Sequence, residues 1–187
     1  AGAYFGGSSD PVSNSYSVNN LDVGTAFTFG ARLGYKFNPS IGLVFEYAHA
    51  DPTLTVKCSN PNAGTWCGRE LDLSSNIYEG TFNFYFGSTP EMQGYIAIGA
   101  GAASMSASGQ DSTGATREGS STQFSTVFGL GGTKMLNEKV GIVLDGRYRW
   151  VNVDGQDSYY CYYYCYAYDT SWYGSGEITL GVKYQFK

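Results

Sequence analysis

Residues 178–186 read Ile178-Thr179-Leu180-Gly181-Val182-Lys183-Tyr184-Gln185-Phe186. Ile178, Leu180, Val182, Tyr184 and Phe186 alternate with Thr179, Gly181, Lys183 and Gln185, and Glu177 precedes them in the polar phase. A period of two belongs to a β-strand, whose successive side chains point to opposite faces. One face of this strand is oily and the other polar or charged. The polar face is too rich in glycine and too interrupted to make an ordinary soluble surface on every strand, yet the same alternation recurs along the chain. The pattern points to a barrel turned inside out in lipid, with apolar side chains outward and polar ones along the lumen.

Reading for that period predicts eight strands, at residues 3–8, 24–37, 41–56, 70–86, 93–106, 122–135, 140–153 and 172–186. The connections alternate in length. Asn38-Pro39-Ser40, residues 87–92 and Asn137-Glu138-Lys139 make tight turns, whereas 11–23, 51–69, 107–121 and 154–171 are long. The predicted fold is therefore all-β: an eight-stranded antiparallel up-and-down transmembrane β-barrel, a single domain over 1–187, with short periplasmic turns and long extracellular loops.

Composition agrees. The chain has 187 residues, 42% of them hydrophobic, and no uninterrupted apolar stretch long enough for a membrane-spanning helix. Only every second residue of a spanning strand meets lipid, so average hydropathy is uninformative for a barrel. Gly 26, Tyr 17 and Phe 11 suit curved strands and aromatic interface belts. The net charge of -5 argues against a nucleic-acid partner, which would need a basic stripe. Ala1-Gly2-Ala3 are small residues of the kind that follow a cleavage site, so the chain reads as a mature form whose export signal has been removed.

Facing follows from parity. Outward lie Phe27, Phe29, Leu33, Tyr35 and Phe37; Ile41, Leu43, Phe45 and Tyr47; Tyr78, Phe82, Phe84 and Phe86; Phe124, Phe128 and Leu130; and Ile142, Leu144, Tyr148 and Trp150. Ile96 and Ile98 are placed on the same face, against Tyr95 and Ala97. Phe37, Phe86, Tyr184 and Phe186 would form the periplasmic girdle, and Tyr47, Tyr148, Trp150 and Trp172 the outer one. Inward parity falls to Arg32, Lys36, Glu46, Glu79, Asp145, Arg147, Arg149, Glu177 and Lys183. Unpaired buried charge is very costly, so this set implies a paired, hydrated network in a lumen that eight strands leave just wide enough for side chains. A salt-bridge plug is the first reading of it and a small ion-permeable pore the second.

Four cysteines are even enough to pair. Cys58 and Cys67 bracket a Pro/Asn/Gly segment, and Cys161 and Cys165 sit among tyrosines, so all four read as disulfide staples of loops in an oxidising compartment. Three connectivities stay open. Closing the loop between Cys58 and Cys67 is worth about 2 to 3 kcal/mol in chain entropy. Neither pair has zinc-site spacing, and no cofactor motif is present.

With these residues placed, the chain resembles the eight-stranded outer-membrane barrels of Gram-negative bacteria, the group that includes the OmpA transmembrane domain, OmpX and the opacity-type adhesins. The resemblance covers essentially the whole chain and rests on the strand and loop pattern, on FTFGARLGY from Phe27 to Tyr35, on VGIVLDGRYRW from Val140 to Trp150 and on the closing ITLGVKYQF. It implies location in the outer membrane, with its lipid and lipopolysaccharide as surroundings, and a scaffold that presents loops. In that family the last strand ends in an aromatic residue read by the assembly machinery. Phe186 matches, and Lys187 after it departs from the pattern.

Two stretches bear on function. Some small outer-membrane barrels modify lipid A, which makes the lone His49 a candidate catalytic residue; the lipid A deacylases place His and Ser two residues apart, whereas this chain reads His49-Ala50-Asp51. Parity puts His49 outward beside Tyr47, so the expectation is an interfacial residue and a protein that is not an enzyme. The second stretch holds Tyr159, Tyr160, Tyr162, Tyr163, Tyr164, Tyr166 and Tyr168. Tyrosine combines stiff contact area with a polar tip, which suits a protein or glycan partner as well as packing over the lumen. The functional expectation is a structural or interaction protein that presents stapled, tyrosine-rich loops for adhesion or partner binding.

Overall fold

The computed structural model describes residues 2–7, 18–58, 70–89, 91–110, 114–153 and 171–186; side chains are described from residue 24 onward, except 54, 56–58, 88, 117, 153 and 171–173. Nine strands follow in chain order: β1 (Gly2–Gly7), β2 (Val18–Asn38), β3 (Ile41–Ala50), β4 (Thr53–Cys58), β5 (Glu70–Thr89), β6 (Met92–Gln110), β7 (Thr116–Met135), β8 (Val140–Val153) and β9 (Ser171–Tyr184). All neighbours pair antiparallel, and β1 pairs with both β2 and β9, which closes the sheet on itself.

β3 and β4 are two lengths of one stave, since both lie between β2 and β5. The third strand was expected to run unbroken over 41–56. It is interrupted at Asp51-Pro52, because proline has no N–H to give a ladder; the Pro52 carbonyl instead accepts a bond of 3.1 Å from the Leu73 amide. Eight staves result, joined as an up-and-down barrel.

The short connections are built from side-chain caps. Asn38 Oδ1 accepts from the amides of Ser40 (2.8 Å) and Ile41 (2.9 Å), and Asn137 Oδ1 from those of Lys139 (2.9 Å) and Val140 (2.8 Å). Asparagine thus imitates a backbone carbonyl at both turns. At the third turn Gly87 has φ 136°, a conformation other residues rarely adopt. The opposite end differs from expectation at two connections: residues 18–23 of the expected 11–23 loop belong to β2 and pair with β4, and the second lies between β6 and β7. Residues 107–121 read as a long loop, but β6 and β7 stay paired to Gln110↔Thr116. Ser, Gly and Ala crowd both faces of this ribbon, so it has no apolar alternation to reveal it, while its backbone ladder simply continues.

Apolar side chains look away from the axis. Phe82 is 52% exposed and Leu180 59%, whereas Tyr95 and Ala97 are buried and Ile98 is exposed, which settles the facing of β6. Aromatic pairs mark both rims of this outer band: Tyr35 with Phe37 and Tyr184 with Phe186 at the turn end, Tyr47 with Tyr78 and Tyr148 with Trp150 at the other. The Trp172 side chain lies outside the described residues.

Glycine sets how closely the staves approach. A Cβ on Gly101 would stand 1.9 Å from the Tyr78 carbonyl oxygen and 2.7 Å from the Glu79 Cα, both backbone atoms that cannot swing aside. Gly101→Val is expected to lower stability by about 1 to 3 kcal/mol through overpacking, measured as a lower urea midpoint for the loss of heat-modifiable gel migration. An unchanged midpoint would show that β5 and β6 can part freely.

The seam at β1 is incomplete. β1 begins at Gly2, opposite Thr28 of β2 and Thr179 of β9, and runs from there only towards the long-loop end. Towards the turns, residues 30–36 of β2 and 181–184 of β9 have no ladder on this side among the described residues. Residues 30–37 are correspondingly exposed on both faces, while β3 beside them keeps its inward face buried.

Candidate functional site

The inward face of the barrel is polar at its centre. β8 contributes Asp145, Arg147 and Arg149 at successive inward positions, β2 contributes Arg32, β3 Glu46, β5 Glu79 and β9 Glu177. Register places Glu46 directly opposite Glu79, a like-charge pair that would be unfavourable alone. Arg149 resolves it. Its guanidinium is fully buried, donates from Nε to Glu79 at 2.9 Å and from Nη2 to Glu46 at 3.1 Å, and bonds Glu177 through Nη1.

A second layer lies nearer the turns. Arg32 Nε sits 2.7 Å from Glu46, and its two terminal nitrogens donate to Asp145 at 2.6 and 3.1 Å, a bidentate grip. Arg147 reaches Glu46 with Nη1 and Asp145 with Nε at 3.1 Å. Glu46 therefore touches all three arginines. Hydroxyls complete the shell: Tyr95 donates to Asp145 at 2.8 Å, Thr28 to Glu177 at 3.2 Å, Ser125 to Glu79 at 3.4 Å, and Thr179 also bonds Asp145. None of these four was named for the network from the sequence, because their role depends on depth along the axis, which the alternation does not encode.

Of the nine inward residues named from sequence, seven meet in this network and two do not. Lys36 donates to Gln93 at 2.6 Å and lies 3.9 Å over the Tyr85 ring. Lys183 has no carboxylate partner among the described residues. Both sit a full turn of the pleat closer to the short connections, where the described part of the lumen offers them no acid. Cys58 ends β4, with its side chain outside the described residues, as are Cys67, Cys161, Cys165 and Tyr159, Tyr160, Tyr162, Tyr163, Tyr164, Tyr166 and Tyr168.

His49 lies past the outer aromatic ring and against Phe29, with ring centroids 5.0 Å apart. Its Nδ1 is 3.0 Å from Asn76 Oδ1 and its Nε2 3.0 Å from Asp51 Oδ2, while Tyr47 donates to the same Asn76 oxygen at 2.9 Å. A general base needs a free lone pair on one ring nitrogen. Here both nitrogens face oxygen atoms, and the bond to Asn76, then Asp51, raises the His49 pKa above its ordinary value. The sign follows. This contact stabilises the fold below the ordinary imidazole value of about 6.5 and is lost as pH rises through the raised one. Because the chain has 1 histidine, NMR titration of its ring is unambiguous; an apparent pKa at or below that of a free imidazole would refute the arrangement.

No family model and no curated protein matches this chain. Among solved structures, the crystal structure of Neisserial surface protein A is similar, with a TM-score of 0.58 and 15% sequence identity over 99% of this chain and 94% of that one. At that identity the likeness is one of fold: the chain is a small all-β, antiparallel up-and-down barrel of eight staves.

Proposed function

We propose that this chain is an outer-membrane surface protein whose barrel is a closed anchor, and whose work is done by the ribbons and loops at the long-connection end. The observation that carries the reading is the pairing of an apolar outer band with a lumen crossed by ion pairs, in which Arg149 and Val127 are fully buried. A shape of this kind holds itself in a membrane without offering a path through it. Similarity to a Neisserial surface protein supports the location. The tyrosines at 159–168 supply the contact surface for a protein or glycan partner, and cysteine staples at Cys58, Cys67, Cys161 and Cys165 would hold the loops.

Two measurements test this. Deleting residues 159–168 should abolish binding to partner cells or glycans while heat-modifiable migration persists, and retained binding would sink the adhesive role. In planar bilayers the protein should give no steady conductance steps. Channels whose selectivity reverses with Arg147→Glu would instead support a small pore running through the network.

A further inference from the structure

The lumen is packed to different degrees along its axis. At the centre, a Cβ added to the inward-facing Gly99 would stand 2.1 Å from the Gly80 carbonyl oxygen, and one on Gly131 would stand 2.5 Å from the Asp145 Cβ. The ionic layer is full. On its turn side the inward Gly181 of β9 behaves otherwise, since an added Cβ there meets nothing within 4 Å. An open mouth therefore begins where the grip of Arg32 on Asp145 ends. Its chemistry is one-sided. The polar side chains facing it are Lys36 on β2, Asn83 and Tyr85 on β5, Gln93 on β6, Thr133 on β7 and Lys183 on β9. Two are cations and none of these described residues is an acid; Glu91 and Glu138 lie in the turns themselves and are exposed. Lys36 gives one N–H to the Gln93 Oε1 at 2.6 Å, whereas Lys183 has no hydrogen bond or ion pair among the described residues. The two ammonium groups are near enough for their charges to repel. Like charges that share a narrow opening between low-dielectric walls focus their potential on an incoming anion.

We propose that the turn-end mouth of the lumen is a binding site for a phosphate group, held between the ammonium groups of Lys36 and Lys183 with the Gln93 amide as a third donor. An ammonium carries three donors and binds phosphate as a point charge, so two lysines on different strands can share one tetrahedral anion without a fixed fork geometry. Chloride offers a single centre to the same groups. Gln93 fits the role, because Lys36 engages its Oε1 and leaves the N–H2 as donor. The phosphate is carried by a soluble ester or by a phospholipid headgroup at the turn-side surface, and the recognising chemistry is the same for both. The site stands on the lumen's inner face, independently of what the outer band meets.

The whole chain, folded in micelles, is titrated with inorganic phosphate against sodium chloride at equal ionic strength and followed by phosphorus NMR. Binding should saturate, weaken about tenfold or more in Lys183→Met, and stay unchanged in Lys134→Gln, which alters an exposed lysine at the same end of β7. Stability supplies a second readout, opposite in sign to that of a structural lysine. Without phosphate, Lys183→Met should keep or raise the urea midpoint, because a repulsion has gone, and added phosphate should raise the midpoint of the parent alone. Gly181→Asp, whose carboxylate enters the open space, should raise the midpoint and abolish phosphate binding. Competition then identifies the carrier: displacement by glycerol phosphate assigns the ligand to solution, and displacement by dihexanoyl phosphatidylglycerol alone assigns it to the leaflet. Displacement by neither overturns the proposal. So does equal phosphate affinity in Lys183→Met, affinity no greater than for chloride, or a lower phosphate-free midpoint in that variant.

Discussion

Replacing Arg149 by alanine lowers the unfolding free energy by about 3 to 5 kcal/mol, the cost of leaving buried charge uncompensated. Three carboxylates lose a partner at once: Glu46, Glu79 and Glu177. Glu46 keeps Arg32 and Arg147, and Glu177 keeps the Thr28 hydroxyl, but Glu79 is left with the Ser125 hydroxyl alone among the described side chains. Adding Glu79→Gln to Arg149→Ala should therefore recover part of the loss, since it removes the charge with the fewest remaining partners. Urea titration in detergent micelles, followed by tryptophan fluorescence, measures both variants. A loss under about 1 kcal/mol would mean that the carboxylates are solvated as well as an exposed pair, for which such small values are usual.

The second large effect is on the other face. Leu144 is exposed and lies opposite Leu180 midway along the apolar band. Leu144→Arg should cost about 2 to 4 kcal/mol in a lipid bilayer, the penalty for a guanidinium near the midplane. On a water-facing surface the same change would be close to neutral. Unfolding in vesicles, compared with Thr122→Arg on the protruding part of β7, reads the difference; equal stability of the two variants would refute the orientation of the barrel.

The closing strand shows what alternation can and cannot convey. Ile178, Leu180 and Val182 were assignable to the outer face by parity alone, because a two-residue period maps directly onto two faces. Arg32 and Lys36 have the same parity and different fates: Arg32 grips Asp145, while Lys36 turns to Gln93. What separates them is height in a tilted barrel, which depends on register between strands and not on any single strand's pattern. The β6–β7 ribbon was missed for a related reason. Beyond the strand read as ending at Ser106, Ala107-Ser108-Gly109-Gln110 and the facing Thr116 to Ser121 are too small and polar for a period to appear, though every residue is paired. The unbroken strand expected over 41–56 hid the break at Asp51-Pro52, and that both pieces keep the same neighbours depends on β2 and β5.

The lumen network also constrains the order of events during biogenesis. Its bonds join Thr28 to Glu177, Arg32 to Asp145 and Glu46 to Arg149, contacts separated by 149, 113 and 103 positions in the chain. No early hairpin contains both members of any of them. β8 alone crossing hydrocarbon would carry the guanidinium groups of Arg147 and Arg149 with only Asp145 for company. On the membrane-spanning reading, insertion is expected as one concerted kinetic phase that follows the meeting of the first and last thirds of the chain, and separate phases for the individual hairpins would refute it.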